Sequence, residues 1–250
     1  EYRIDGGDWQ TGLGSSFELK AAVPGEPPNA HTYEARQTDV AGNVSDPSTA
    51  IDVTLVLIEG QVSAAELLGL RNDITLVDAT RMTSIIGTVA EVVRVIDDSS
   101  TKHTDGAGII LPANFDSVLT GVANATDIAK IQAANGTGLI DGLGITEING
   151  KAEDVVQALI DLHTAPVGFS STLSGAAQAT DILTIDTNTS GVIDGLGITD
   201  INGTTANVLQ AILGLNRVSN DFNSEISEVA SAAELKTISN NTSGMVDASL

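Results

Sequence analysis

Apolar side chains recur along this chain at helical spacing, and each run follows the same opening. Ser63-Ala-Ala-Glu66, Asn124-Ala-Thr-Asp127, Gln178-Ala-Thr-Asp181 and Ser231-Ala-Ala-Glu234 all read as helix starts. In the Ser-x-x-Glu versions the hydroxyl and carboxylate satisfy free amides of the first turn. Ile128 with Ile131, Ile182 with Ile185, and Leu235 with Ile238 then mark one face of a helix. A polar turn follows: Asn135-Gly-Thr-Gly138, Asn188-Thr-Ser-Gly191 and Asn241-Thr-Ser-Gly244. It leads to a short extended pair, Leu139-Ile-Asp141 and Ile145-Thr-Glu-Ile148, joined tightly at Gly142-Leu-Gly144. A second helix is expected after Gly150 and after Gly203, with Val155, Val156, Leu159 and Ile160 on its apolar face. Thr88-Val-Ala-Glu91 is a further capping box. The link back, Phe-x-Ser-x-Leu/Ile, reads as extended.

The predicted unit is helix, two short strands, helix and link. Its period shows in two thirteen-residue stretches, Gly138–Gly150 and Gly191–Gly203, which lie 53 residues apart and differ only by Leu/Val and Glu/Asp. Such a period is the mark of a structural array. Phe is rare, yet Phe115, Phe169 and Phe222 hold one repeat position. Neither helix is long enough to persist alone in water, so the copies must cover one another's apolar faces. The expected boundaries are repeat one at 57–113, repeat two at 114–167, repeat three at 168–220 and an incomplete repeat four at 221–250. Repeat one carries a polar insertion, expected as a surface loop at 97–106. Both ends of the chain interrupt a unit, so the parent array is expected to continue in both directions.

The first 56 residues pattern differently. Tyr2-Arg-Ile-Asp-Gly-Gly-Asp-Trp9 reads as strand, tight turn and strand. Phe17-Glu-Leu, Thr32–Gln37 and Ala50–Val56 alternate as half-buried strands, with a turn over Thr38–Ser45. The Tyr-x-Ile-Asp-Gly-Gly-x-Trp stretch and the Asp39-Val-Ala-Gly-Asn-Val-Ser45 corner together resemble the second half of a bacterial immunoglobulin-like domain. That resemblance implies a sandwich of about seven strands in about 100 residues, of which only part fits here. Trp9 and Tyr33 would be core residues. The expected fold class is therefore mixed: a partial all-β immunoglobulin-like sandwich, then an α/β array stacked like a solenoid. The repeats resemble, more loosely, those of very large secreted or cell-surface proteins of cyanobacteria and other aquatic bacteria.

Composition narrows the functions. Thirty-three acidic residues face eleven basic ones, a formal charge of −22, which repels phosphate backbones and speaks against a nucleic-acid partner. The aromatic fraction of 3% leaves Ile, Leu, Val and Ala to build the core. The absence of cysteine excludes disulfides, thiolate metal sites and a cysteine nucleophile. The longest apolar run, Val53–Ile58, is too short to span a bilayer, so no membrane insertion is expected.

Asp186-Thr-Asn-Thr-Ser-Gly-Val-Ile-Asp194 invites a metal. Asp186, Asn188 and Ser190, followed by Gly191 and Asp194, match the opening of an EF-hand or dockerin calcium loop, with Asp141 the counterpart of Asp194. The twelfth position, which should be glutamate, is Gly197, and the first ligand position aligns with Gln132 or Ala133 in the second copy and with Ser239 in the fourth. A turn is the competing reading. Asp78, Asp141, Asp194 and Asp247 occupy one repeat position, either capping turn amides or forming a carboxylate column bridged by cations. His31, His103 and His163 share no repeat position and no metal-ligand spacing. No catalytic constellation stands out, so the chain reads as no enzyme. The expectation is a structural segment of a large modular extracellular bacterial protein: an adhesin stalk, surface-layer or filament element. Its partners would be neighbouring copies or domains of the same protein. Two alternatives remain: a filament subunit joined by strand complementation, or a calcium-dependent module binding cell-surface glycans.

Overall fold

Helix starts fall where the capping signals place them in the computed structural model, which describes residues 1–11, 29–73, 76–100 and 108–248. The Ser63 hydroxyl accepts from the Glu66 amide at 3.1 Å, and Ser231 with Glu234 and Thr88 with Glu91 close reciprocal capping boxes. The chain divides into two compact bodies, residues 1–83 with 94–113, and residues 84–93 with 114–250.

The first body opens with three antiparallel strands, β1 (Tyr2–Ile4), β2 (Asn29–Ala35) and β3 (Ile51–Ser63). The Asp-Gly turn forms as the sequence requires, with Asp5 and Gly6 at φ 53° and 69°. The Asp39 corner is held by its own carboxylate, which accepts from the amides of Ala41 and Asn43, both at 2.9 Å. The Asn43 side-chain amide, which donates to the carboxylate at 2.8 Å, and then those backbone bonds hold the Asp39 carboxyl below its ordinary range.

Here the expected fold class is corrected. Among the described residues there is no antiparallel all-β sandwich, and the fold is α/β, with mostly parallel sheets alternating with helices. The physical reason lies in β3. It does not stop at Val56 but runs thirteen residues to Ser63 and passes straight into α1 (Ala64–Asp73). β3 neighbours β4 (Leu76–Thr88), followed by α2 (Val89–Ser100), and β4 pairs in parallel with β5 (Gly108–Ile110). The antiparallel strands therefore belong to a sheet that turns parallel. Tyr33 is buried, but Trp9 is only half-buried. The guanidinium groups of Arg3 and Arg36 lie over its ring, 4.8 and 4.2 Å from the centroid, a partly buried cation–π arrangement. The insertion in repeat one is helical through Ser100; residues 101–107, with His103, lie outside the described residues.

The second body takes in the end of β4 and the start of α2, residues 84–93, and continues as a succession of strands and helices: β6 (Asp116–Asn124), α3 (Ala125–Ala134), β7 (Ile140–Asn149), α4 (Ala152–Asp161), β8 (Ser171–Gln178), α5 (Ala179–Asn188), β9 (Ile193–Asn202), α6 (Thr205–Gly214), β10 (Arg217–Val218), β11 (Ser224–Ile226), α7 (Ala232–Ser239) and β12 (Val246–Ala248). Every strand pairing in it is parallel. Single bridges carry the ladder from β7 to β8 and from β9 to β11. Each 53-residue repeat thus holds two strand–helix coils.

One expectation of the repeat changes: the two short strands are one ten-residue strand, and Gly142-Leu-Gly144 is a bulge within it. A Cβ on Gly142 would lie 2.8 Å from the Leu162 side chain, and one on Gly144 would lie 2.9 Å from the Leu119 carbonyl oxygen. Two small residues let the strand kink here with the helix packed over it. The Phe-x-Ser link, read as extended, runs into a strand after Phe115, Phe169 and Phe222.

Ile128, Ile131, Ile182 and Ile185 are fully buried, as are Phe169 and Phe222. Full burial of one such side chain contributes about 1.5–3 kcal/mol. On α4 the buried face is Ala152, Val155 and Ala158, whereas Ile160 points outward, 69% exposed.

Candidate functional site

The residues singled out for calcium do not converge. α5 extends through Asn188, so Asp186 and Asn188 sit in its last turn rather than in a loop. Two helical residues two positions apart point about 200° away from each other, so they cannot share one ion. The Asn188 amide donates to the Thr184 carbonyl of its own helix at 2.8 Å. The Ser190 hydroxyl faces the Val167 carbonyl at 3.5 Å. The Asp194 carboxylate accepts from the Leu196 amide at 3.0 Å and from Arg217 Nη1 at 2.9 Å. Asp141 accepts from the Leu143 amide at 3.0 Å. Among the described residues no group of three or more Asp, Glu, His or Cys is arranged to hold a metal. The donor set does not fit an EF-hand ion.

The aspartate column takes a definite local form. Asp78, Asp141 and Asp194 each accept the backbone amide two residues on, the geometry of an Asx turn. Their strand neighbours are not one another. Asp141 lies beside Val118 and Thr164, Asp194 beside Thr172 and Arg217, and Asp247 beside Glu225. Asp194 is level with Asn149, eight residues along from Asp141, which separates the two carboxylates by roughly 20–25 Å along the strand direction.

Asp186 and Ser190 do share an open groove of about 570 Å³ between the C-terminal ends of α5 and α6, where Asp186 lies against Gly214. A smaller counterpart of about 270 Å³ sits between α3 and α4 and contains Asp161 and His163. The Asp161 carboxylate there accepts from Gln157 of its own helix at 2.8 Å. Near the other ends of α4 and α5, burial and then the nearby Glu153 push the Asp181 carboxyl above its ordinary range.

One polar arrangement recurs among the described residues, at the junction between repeats. From repeat two to three, the amides of Ile148 and Gly150 donate to the carbonyls of Ser170 and Thr172 at 2.9 and 3.2 Å. In return Ser170 and Ser174 donate to Thr146 and Gly150, both at 3.0 Å. Two side chains complete the set. The buried Ser171 hydroxyl donates to the Ile148 carbonyl at 2.6 Å, and the Asn149 side-chain oxygen accepts the Thr172 amide at 2.7 Å. From repeat three to four the same six bonds recur 53 residues on. Ile201, Gly203, Asn223 and Ser227 donate to Asn223, Glu225, Thr199 and Gly203 at 2.8–3.1 Å. Ser224 donates to Ile201 at 2.6 Å, and Asn202 accepts from Glu225 at 2.9 Å.

These residues were visible in the chain as Phe-x-Ser and Ile-Asn-Gly at the repeat spacing. Read singly, they pass for a link and a turn. Only the neighbouring coil shows that the serine is buried and the asparagine bridges strands. Comparison of the chain with protein-family models, with curated proteins and with solved structures returned no match.

Proposed function

We propose that this chain is a structural segment of a large modular extracellular bacterial protein, serving as a stalk, surface-layer or filament element. The observation that carries the reading is the repeated junction: six bonds between repeats two and three recur one for one between repeats three and four. A fold whose every addition restates the previous contact extends by copying, and its stability is a sum over units and their interfaces. The acidic composition suits a well-solvated surface. The contacts favour homotypic neighbours over a small-molecule substrate, because the ordered polar groups are spent on holding coils together.

Pulling the chain from both ends in a single-molecule experiment tests the mechanical part. Repeat-wise rupture predicts steps of about 180 Å, one for each 53 residues released. A single rupture of the whole second body, with no repeat-sized step, would count against a stack of equivalent units. Antibodies against residues 114–220 should label intact cells of the source organism; labelling only after permeabilisation would overturn the extracellular assignment.

A further inference from the structure

The recurrence of one set of bonds at two junctions has a consequence for two molecules together. The face that repeat two presents to repeat three is made by Thr146, Ile148, Asn149 and Gly150, and repeat three presents Thr199, Ile201, Asn202 and Gly203 in the same bonding roles. The incoming faces match as well. Both begin with a fully buried Phe, at 169 and 222, and a buried Ser two residues later whose hydroxyl reaches back to an isoleucine carbonyl. Nothing in this bonding distinguishes a repeat of the same chain from the corresponding repeat of another.

We propose that the outgoing face of repeat two is an interaction surface for a second copy of this chain. Repeat three or repeat four of one molecule seats on repeat two of another, so that the stack passes from chain to chain. When repeat three seats on the repeat two of another copy, exchange makes and breaks the same hydrogen bonds and buries the same side chains, so the contact energies cancel to first order. Repeat four brings the same six bonds but gives up those that Glu228 and the Asn223 side chain make to Thr205 and Asp200. Where repeat four seats on repeat two, Asn223 takes the place of Ser170 beside Glu147, a neutral polar residue for another. The Glu225 amide then meets the Asn149 side-chain oxygen as it meets that of Asn202 at 2.9 Å in its own chain. What holds the junction within one chain is connectivity. Adjacent repeats are present to each other at an effective concentration on the order of millimolar, against which a second molecule must compete. The charge of −22 adds repulsion between copies, which salt screens. Exchange should therefore rise with protein concentration and with ionic strength. This inference stands on the junction geometry alone, whatever the stack is for.

The absence of cysteine gives the test a clean background. Variants Glu147→Cys and Asn223→Cys are prepared separately, mixed, unfolded in denaturant, refolded together and treated with a short bis-maleimide. The two positions are not register partners within one chain, where Glu147 pairs with Ser170 and Asn223 with Asp200. The expected result is a cross-linked heterodimer, at least roughly tenfold more abundant after refolding at ~0.1 mM than at ~1 μM and favoured by added salt. Glu147→Cys mixed with Ser170→Cys reports exchange in the parent register and keeps the test decisive if Asn223→Cys folds poorly. Glu147→Cys mixed with Leu213→Cys, an exposed helix position, measures random collision. Heterodimer above that background in either pair supports the proposal; its absence from both pairs at the higher concentration overturns it.

Discussion

Replacing Gly191 by alanine probes the stacking directly. Gly191 closes the turn before β9, and a Cβ there would lie 2.1 Å from the Phe169 carbonyl oxygen and 2.6 Å from its carbon. An ordinary carbon–oxygen contact needs about 3.3 Å or more, so the backbones must part by more than about 1 Å. The obstacle is a main-chain carbonyl that already accepts the Thr189 hydroxyl, not the tip of a flexible side chain. Phe169 itself is fully buried, which leaves it nowhere to retreat. Overpacking of this kind costs typically 1–3 kcal/mol, and loosening the Thr189 bond adds about 1 kcal/mol. We predict a loss of about 3 kcal/mol, which in a chain of this size lowers the melting temperature by about 6–12 °C. Differential scanning calorimetry of the wild type and Gly191→Ala measures it. Gly69→Ala is the control, since Gly69 lies within α1 with nothing within 4 Å of its Cβ position. That change should stabilise by up to about 1 kcal/mol. A Gly191→Ala protein melting within about 2 °C of wild type would refute the close-approach argument.

Ser171→Ala and Ser224→Ala should each cost about 1 kcal/mol in urea titrations, because each removes a buried hydroxyl bound to the preceding coil. Ser117→Ala should cost nothing measurable, since its equally buried hydroxyl has no hydrogen-bond partner; equal losses at all three positions would overturn this distinction. Asp181→Asn should raise the melting temperature at pH 7 and leave it unchanged at pH 3. The folded-state carboxyl is raised, so the fold binds the proton more tightly, and stability is lost as pH rises from the ordinary aspartate value of 3.8 through the shifted one. A benefit of equal size at both pH values would point to packing instead. Millimolar calcium should raise the melting temperature no more than magnesium at equal ionic strength, because Asp186, Asn188 and Asp194 face different partners. A calcium-specific increase would refute that reading.

The local elements of the repeat were legible because they depend on short-range chemistry. Ser63, Thr88 and Ser231 announce helices through bonds made within three residues, and the Asp5-Gly6 turn follows from backbone freedom at the same two positions. The 53-residue period and the shared Phe likewise required only comparison of the chain with itself. The residues that join the coils were not legible, because their partners lie 23 positions away, as Ser171 to Ile148 and Asn149 to Thr172. A buried serine and an exposed one are the same letter until a second strand covers one of them. The same limit explains the calcium loop, where the oxygen spacing of Asp186, Asn188 and Ser190 is right for a loop, but continuation of α5 through Asn188 turns the side chains apart. It also explains the sandwich. Alternation identifies the strands over Thr32–Gln37 and Ala50–Val56, while the strand expected at Phe17-Glu-Leu lies outside the described residues. The sheet they join depends on β3 running on into α1, a choice made by packing partners outside that stretch. Sequence alone determined the units and their period; tertiary contact decided which of their faces meet, since burial and strand partners exist only once the coils lie side by side.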